Sequence, residues 1–176
     1  MRIWSSAFSA GRESRPNAEY RLATAEKPNF GYGEVNEKAG ALGRYQMTAA
    51  ALRAIGMIDA VGNWNGKYGV HSRAEFLADP EAQEKALTDY LQDTERQLKA
   101  NGSFDFIGAS IDGLVSRFTV TRAGLIAAGH REGPTATRRY LATIGSNGFT
   151  SRGLDLTRQQ RAIEMRLRIF SDAAYE

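Results

Sequence analysis

The residues of this sequence best suited to chemistry or ligand binding lie near its N-terminus. Residues 40–47 read Gly-Ala-Leu-Gly-Arg-Tyr-Gln-Met, which places two glycines beside an aromatic ring and an amide. A glycine lets the backbone pass close to a ligand, because it carries no obstructing side chain and permits unusual dihedral angles. Tyr45 and Gln46 would then face that ligand. This composition suits the wall of a binding site, and a glycine-rich turn leading into a helix is an equally good interpretation of these residues alone.

A candidate proton donor lies upstream of this segment, at Glu13, with Ser14 directly after it. Apolar residues at helical spacing predict a helix over about residues 3–13, so Glu13 would lie at its C-terminal end. The helix dipole disfavours a negative charge there. With apolar neighbours, we expect the pKa of this carboxyl group to be raised, which suits a group that carries a proton near neutrality. A solvated surface glutamate is the alternative.

These residues, taken in order with Tyr32 and Asn36, resemble the lysozyme-like lytic transglycosylases and related phage or bacterial muramidases. In that family a Glu-Ser pair closes the first core helix, and a Gly-x-x-Gln segment lines the sugar cleft. Residues 128–134, which read Ala-Gly-His-Arg-Glu-Gly-Pro, are similar to the family's Ala-Tyr-Asn-x-Gly-Pro segment, with His130 in place of the tyrosine. The family also carries a helix ending in a Tyr-Leu type pair after that segment, as at Tyr140.

The resemblance implies a mainly α, lysozyme-like fold with a small irregular or β lobe near residues 15–40. It implies one catalytic domain over residues 1–176, which cleaves the β-1,4 bond between N-acetylmuramic acid and N-acetylglucosamine in peptidoglycan. No metal or organic cofactor is needed for that reaction. Glu13 would be the general acid and base, with Glu34 and Glu37 as candidates for a second carboxylate. The residues expected to contact or orient the sugar are Ser14, Tyr32, Asn36, Tyr45, Gln46, Met47, His130 and Tyr140.

The residues leave several alternatives open. Without a second carboxylate the muramic acid hydroxyl can close on its own ring and give an anhydro product, whereas a loop carboxylate can activate water for hydrolysis. The imidazole of His130 can hydrogen-bond the sugar or can be a satisfied core histidine. A non-catalytic wall-binding or phage-tail protein would keep the same cleft. A basic nucleic-acid binder would need its arginines on one face, which only the last helix suggests.

Size and composition fit one globular domain. The chain has 176 residues and no cysteine, which excludes disulfides and thiolate metal sites. Lysine and arginine number 23 against 20 acidic residues, an excess that mildly favours anionic partners such as peptidoglycan. Residues 1–8 lack the apolar core of a signal peptide, so we expect release through a lysis or secretion apparatus, or a leader already removed, with action in the periplasm or cell wall.

The positioning elements are predicted from capping residues and apolar spacing. Thr48 should cap a helix that Gly56 ends, and Asp79 with Pro80 should open a long amphipathic helix whose charged face is ordinary solvated surface. The apolar residues between Ile107 and Phe118 recur at threes and fours and predict a further helix. The remaining predicted helices begin at Ser72, Thr121 and Thr157, the second running to Gly129 and the third burying Ile163, Leu167 and Phe170.

Overall fold

The computed structural model describes residues 31–172, so the predictions for Glu13, Ser14 and the helix over residues 3–13 lie outside the described residues. Residue contacts divide the chain between Asp93 and Thr94 into two compact units. The described part is mainly helical with small antiparallel sheets, which confirms the expected fold class at that level. No described helix is both long and apolar enough to cross a bilayer. The single catalytic domain stays a prediction.

A three-stranded antiparallel sheet opens the first unit. Its strands are β1 (Val35–Asn36), β2 (Ala41–Leu42) and β3 (Met47–Thr48), in that order, with Val35 opposite Leu42 and Leu42 opposite Met47. Each connection is a tight turn that needs a left-handed residue, supplied by Gly40 and by Gly43. A small β sheet is therefore present at the end of the expected lobe and extends past residue 40 to Thr48, whereas residues 15–30 of that lobe lie outside the described residues.

The helices of the first unit begin where local capping predicts. They are α1 (Ala49–Ala54), α2 (Arg73–Ala78) and α3 (Pro80–Ala100), the last continuing past Asp93. The Thr48 hydroxyl accepts from the amide of Ala51, and Gly56, in the left-handed region, follows α1. Ser72 and Asp79 cap α2 and α3 in the same way. The fully buried side chains of this unit include Met47, Leu52, Met57, Phe76, Leu87 and Leu91.

The second unit begins with the end of α3 and a short 3₁₀ turn at Ser103–Phe106. A two-stranded antiparallel hairpin follows, β4 (Ser110–Asp112) and β5 (Arg117–Thr119). Three helices complete the unit, and Thr121 and Thr157 cap the first and last of them as predicted. These helices are α4 (Arg122–Glu132), α5 (Pro134–Ser146) and α6 (Arg158–Ile169).

The predicted helix between Ile107 and Phe118 is wrong. Ile111 and Phe118 face inward from opposite strands of the hairpin, whereas Leu114 and Val115 lie exposed at its tip. The spacing of these apolar residues fits one helix face and also fits a hairpin, because a turn brings the second strand back beside the first. From Arg117 to Val120 exposed and buried residues alternate, and this two-residue period is typical of a strand and not of a helix.

Helix α4 is the centre of the second unit, since residues 123–129 are all buried. It also extends beyond the predicted end at Gly129, to Glu132. Two glycines allow close packing: a Cβ on Gly124 would lie 3.0 Å from the Leu167 carbonyl oxygen, and one on Gly129 would lie 2.9 Å from Leu98. Ile163, Leu167 and Phe170 of the last helical segment are buried as predicted.

Candidate functional site

Two of the predicted sugar-contacting tyrosines meet on one carboxylate in the first unit. The Tyr32 hydroxyl donates to Glu84 Oε1 at 2.8 Å, and the Tyr45 hydroxyl donates to the same oxygen at 2.5 Å. Tyr45 is buried and Tyr32 is half-buried. Hydrogen bonds to an ionised acceptor are short and strong, so Glu84 fixes both ring orientations.

The guanidinium of Arg44 lies over the Tyr32 ring, 5.3 Å from its centre, within the range of a cation–π contact. Burial and the neighbouring Glu84 carboxylate raise the pKa of Tyr32, and Arg44 opposes that shift. Tyr32 is therefore a neutral phenol that donates a hydrogen bond to Glu84. Its ring is held at one end by a carboxylate and on one face by a cation, which leaves it little rotational freedom.

The glycine turn is tied to α3 by the buried side chain of Gln83. Its Nε2 donates to the Tyr32 carbonyl oxygen at 2.9 Å and to that of Phe76 at 2.8 Å, while its Oε1 accepts from the Arg44 amide at 3.0 Å. A Cβ on Gly43 would lie 2.1 Å from that same oxygen. The absence of a side chain at Gly43 is thus what lets the turn approach the amide.

Gln46 has an unusual conformation for a non-glycine residue, with φ of 51°. Its Nε2 donates to the Gly43 carbonyl oxygen at 2.9 Å, which folds the side chain back over the turn. Its Oε1 is buried and has no hydrogen-bond partner among residues 31–172. A buried acceptor without a partner is costly, so this oxygen is the best-defined candidate in this turn for receiving a hydrogen bond from a ligand.

The loop residues predicted as second carboxylates lie at the edge of the sheet. Glu34 has an exposed side chain, and its carbonyl oxygen accepts from the Gly43 amide at 2.8 Å. Glu37 is exposed and forms an ion pair with Arg73 at 2.5 Å. Asn36 Oδ1 accepts from the Ala39 amide at 3.1 Å, so this side chain stabilises the turn after β1.

Three of the predicted sugar contacts, Tyr45, Met47 and Tyr140, are buried. Met47 is a core residue of the first unit, and Tyr140 is fully buried in the second unit. The Tyr140 hydroxyl donates to Glu164 Oε2 at 2.7 Å. Burial, together with Glu164, raises the pKa of Tyr140 far above its ordinary value. None of these three side chains presents surface to a sugar, so each supports packing or holds its neighbours in place instead.

His130 lies in the last turn of α4, in the second unit. Its Nδ1 is buried although the residue is partly exposed. Burial, together with the positive charges of Arg166 and Arg131, lowers the pKa of His130 to about 4. The imidazole is therefore neutral near pH 7 and has one N–H to donate.

Sequence reasoning missed the acidic residues of α3, which it assigned to solvated surface. Glu84 joins the two tyrosines, and Asp89 accepts from the Tyr68 hydroxyl at 2.5 Å and pairs with Lys67 at 2.7 Å. Glu95 is buried against Arg122 and Lys99. Burial alone would raise the pKa of Glu95, but hydrogen bonds from these two cations outweigh it and hold the pKa below its ordinary value.

Comparison of the chain with protein-family models, with curated proteins and with solved structures finds no match.

Proposed function

We propose that this protein is a peptidoglycan glycosidase of lysozyme-like fold, which cleaves the β-1,4 bond between N-acetylmuramic acid and N-acetylglucosamine. The observation that carries the proposal is the preorganised wall of the first unit. Tyr32 and Tyr45 are fixed on Glu84, and Gln46 is folded over the glycine turn with a buried acceptor. The ordered motifs of the sequence support the same assignment.

A rigid wall of this kind suits glycan binding for an energetic reason. Sugar sites rely on a few placed polar groups beside apolar or aromatic surface, and affinity suffers if those groups must be ordered on binding. Glu84 and Gln83 order the wall before a ligand arrives. Gln46 Oε1 would accept an N–H or O–H of the sugar, and Tyr32 would offer the exposed part of its ring.

Glu13 is the proposed proton donor. It would protonate the leaving glycosidic oxygen, a contribution of about 10²–10⁴ in rate, as the sugar develops oxocarbenium character. Acting next as a base, it would take the proton of the attacking oxygen. When that oxygen is the muramic acid hydroxyl of the same sugar, the product carries an anhydro ring.

A second carboxylate would change the product by activating water on the opposite face of the sugar, at a carboxyl separation of roughly 6.5–9.5 Å. Of the two candidates, Glu34 is favoured, because Arg73 already pairs with the Glu37 carboxylate. No ion pair of Glu34 is found with another residue in the described part of the chain. The site of action would be the periplasm or cell wall, reached with a lysis or secretion apparatus.

Zymography on peptidoglycan, followed by mass spectrometry of the released fragments, tests this function. The unmodified protein should clear the wall, and Glu13→Gln should abolish clearing because the amide cannot donate the proton. Glu81→Gln is the matched control, since Glu81 is exposed and pairs only at the surface with Lys85. It should clear normally.

The fragments then separate the two mechanisms. Anhydro products that persist in Glu34→Gln and Glu37→Gln would assign the reaction to Glu13 alone. Hydrated products that disappear in Glu34→Gln would make Glu34 the base. Binding of the unmodified protein to insoluble peptidoglycan without any clearing would contradict the enzyme and support the non-catalytic wall-binding protein.

A further inference from the structure

The tip of the β4–β5 hairpin presents apolar side chains to solvent. Leu114 is 45% exposed and Val115 is 74% exposed. Phe149 is 39% exposed and lies next to the turn end of the same hairpin, since the amide of Asp112, the last residue of β4, donates to its carbonyl oxygen at 2.9 Å. These three residues are called the apolar tip below. Isolated exposed apolar residues are ordinary, but three that cluster beside one turn suggest a contact surface.

The backbone of the apolar tip is anchored from below by a buried carboxylate. The Leu114 amide donates to Glu164 Oε1 at 2.6 Å, and the Tyr140 hydroxyl donates to the other oxygen. A Cβ on Gly113 would lie 2.8 Å from both Glu164 Oε1 and the Ser116 carbonyl oxygen, so the turn fits tightly over the carboxylate. The tip is therefore ordered before it meets a partner, which lowers the cost of binding.

The backbone of Phe149, in the apolar tip, is strained. Phe149 has φ of 59°, an uncommon conformation for an aromatic residue, and its ring still packs 6.3 Å from that of Phe106. Such a conformation persists only where the surroundings hold it, and it often accompanies function. Here it leaves Phe149 39% exposed on a backbone that is hydrogen-bonded to the hairpin next to its turn.

Two arginines lie next to the apolar tip. Arg117 is exposed and lies opposite Asp112 in the hairpin register, and the exposed Arg152 contacts the Asp112 carboxylate at 3.2 Å. The imbalance extends through this part of the chain: residues 94–176 carry 12 lysines and arginines against 8 acidic residues. The two arginines outnumber the single carboxylate between them, so the rim of the tip is cationic.

We infer that the apolar tip, with Arg117 and Arg152, docks on an anionic lipid bilayer. The interfacial region of such a bilayer offers apolar depth for Leu114, Val115 and Phe149 and negative headgroups for the guanidinium groups. A second copy of the chain would bring the same arginines against one another. A polyanion without an apolar phase would leave Val115 in water. This surface goes beyond the proposed glycosidase activity and does not depend on it.

Co-sedimentation of the full chain with vesicles tests the surface. Binding is expected to phosphatidylcholine vesicles that contain phosphatidylglycerol, to weaken as salt rises, and to be much weaker on phosphatidylcholine alone. Leu114→Asn combined with Val115→Asn should lower the partition coefficient about tenfold. Arg117→Gln combined with Arg152→Gln should also lower it and remove most of the salt dependence.

Matched controls separate docking from general effects. Val61 is 84% exposed in a polar loop of the first unit, and Arg53 is exposed at the end of α1. Val61→Asn and Arg53→Gln should bind as the unmodified protein does, and circular dichroism should show all variants folded. Absence of binding to anionic vesicles, equal binding to both vesicle types, or equal losses in the controls would overturn the inference. So would lipid-free self-association that the Leu114/Val115 variant abolishes.

Discussion

Gln83 shows how one side chain can determine the shape of a candidate site. Its amide satisfies two carbonyl oxygens and one backbone amide, and two of these three groups, on Tyr32 and Arg44, belong to the candidate site. Gly43 lies against the same amide, where a Cβ would come within 2.1 Å of Oε1. The turn and the amide are therefore matched to each other at the level of single atoms.

Gly43→Ala should destabilise the protein by about 2–4 kcal/mol, because the new methyl group displaces Gln83 and the left-handed backbone is strained as well. Gly40→Ala is the matched control, since Gly40 is also left-handed but has nothing within 4 Å of an added Cβ. Its cost should be about 1 kcal/mol. Urea unfolding measures both, and equal losses would show that the close approach to Gln83 contributes nothing.

Tyr45, Gln46 and the glycines could be identified as candidate binding residues from the sequence, because their residue types and spacing lie within one short segment. Glu84 could not be identified in this way, since the contact with Tyr32 joins residues 52 positions apart and the contact with Tyr45 joins residues 39 apart. On the polar face of a long amphipathic helix, a glutamate fits the same helical periodicity whether its side chain faces solvent or a tyrosine. Only the tertiary fold distinguishes the two.

Whole elements were predictable where their signals are local. Thr48, Ser72, Asp79, Thr121 and Thr157 each cap the helix expected of them, because a cap depends on a hydroxyl or carboxylate and the next three amides. The β4–β5 hairpin was not predictable from apolar spacing alone. Its position depends on Glu164, which reaches the turn from a helix 50 residues away.

Tyr140→Phe should destabilise the second unit by about 1–3 kcal/mol, because the buried Glu164 carboxylate loses a donor that water cannot replace there. Amide hydrogen exchange at Leu114 should also become faster, since the same carboxylate holds that amide. Tyr68→Phe is the control: it removes a hydroxyl–carboxylate bond of similar type at the surface, to Asp89. It should cost less than about 1 kcal/mol. Equal effects of the two would contradict the anchoring role of Glu164.

At the scale of the whole molecule, the free energy of unfolding depends on pH, because His130 and Glu95 have lowered pKa values in the folded chain. His130 has a pKa of about 4 in the folded chain against 6.5 for an ordinary histidine. Between those values the unfolded chain binds the proton that the folded chain excludes, so the free energy of unfolding falls as the pH falls. Glu95, whose pKa is lowered by Arg122 and Lys99, adds a further loss at lower pH as its carboxylate is protonated.

His130→Gln should therefore flatten the stability profile between about pH 6.5 and pH 4, where His130 accounts for roughly 3 kcal/mol in the unmodified protein. Denaturant unfolding at a series of pH values measures the slope. His71→Gln removes the other histidine and is the matched control, which should keep the original slope. An unchanged slope in His130→Gln would mean that this imidazole does not titrate differently on folding.

The three hydrogen bonds of Gln83 also make the turn sensitive to the replacement of this amide by an acid. Deamidation would convert its Nε2 donor into a carboxylate oxygen facing the carbonyl oxygens of Tyr32 and Phe76, which then repel it. A gain of a single atomic mass unit would loosen the loop that carries Tyr32 and leave most of the helices intact. A protein deamidated at Gln83 should accordingly lose ligand affinity and keep most of its helical content.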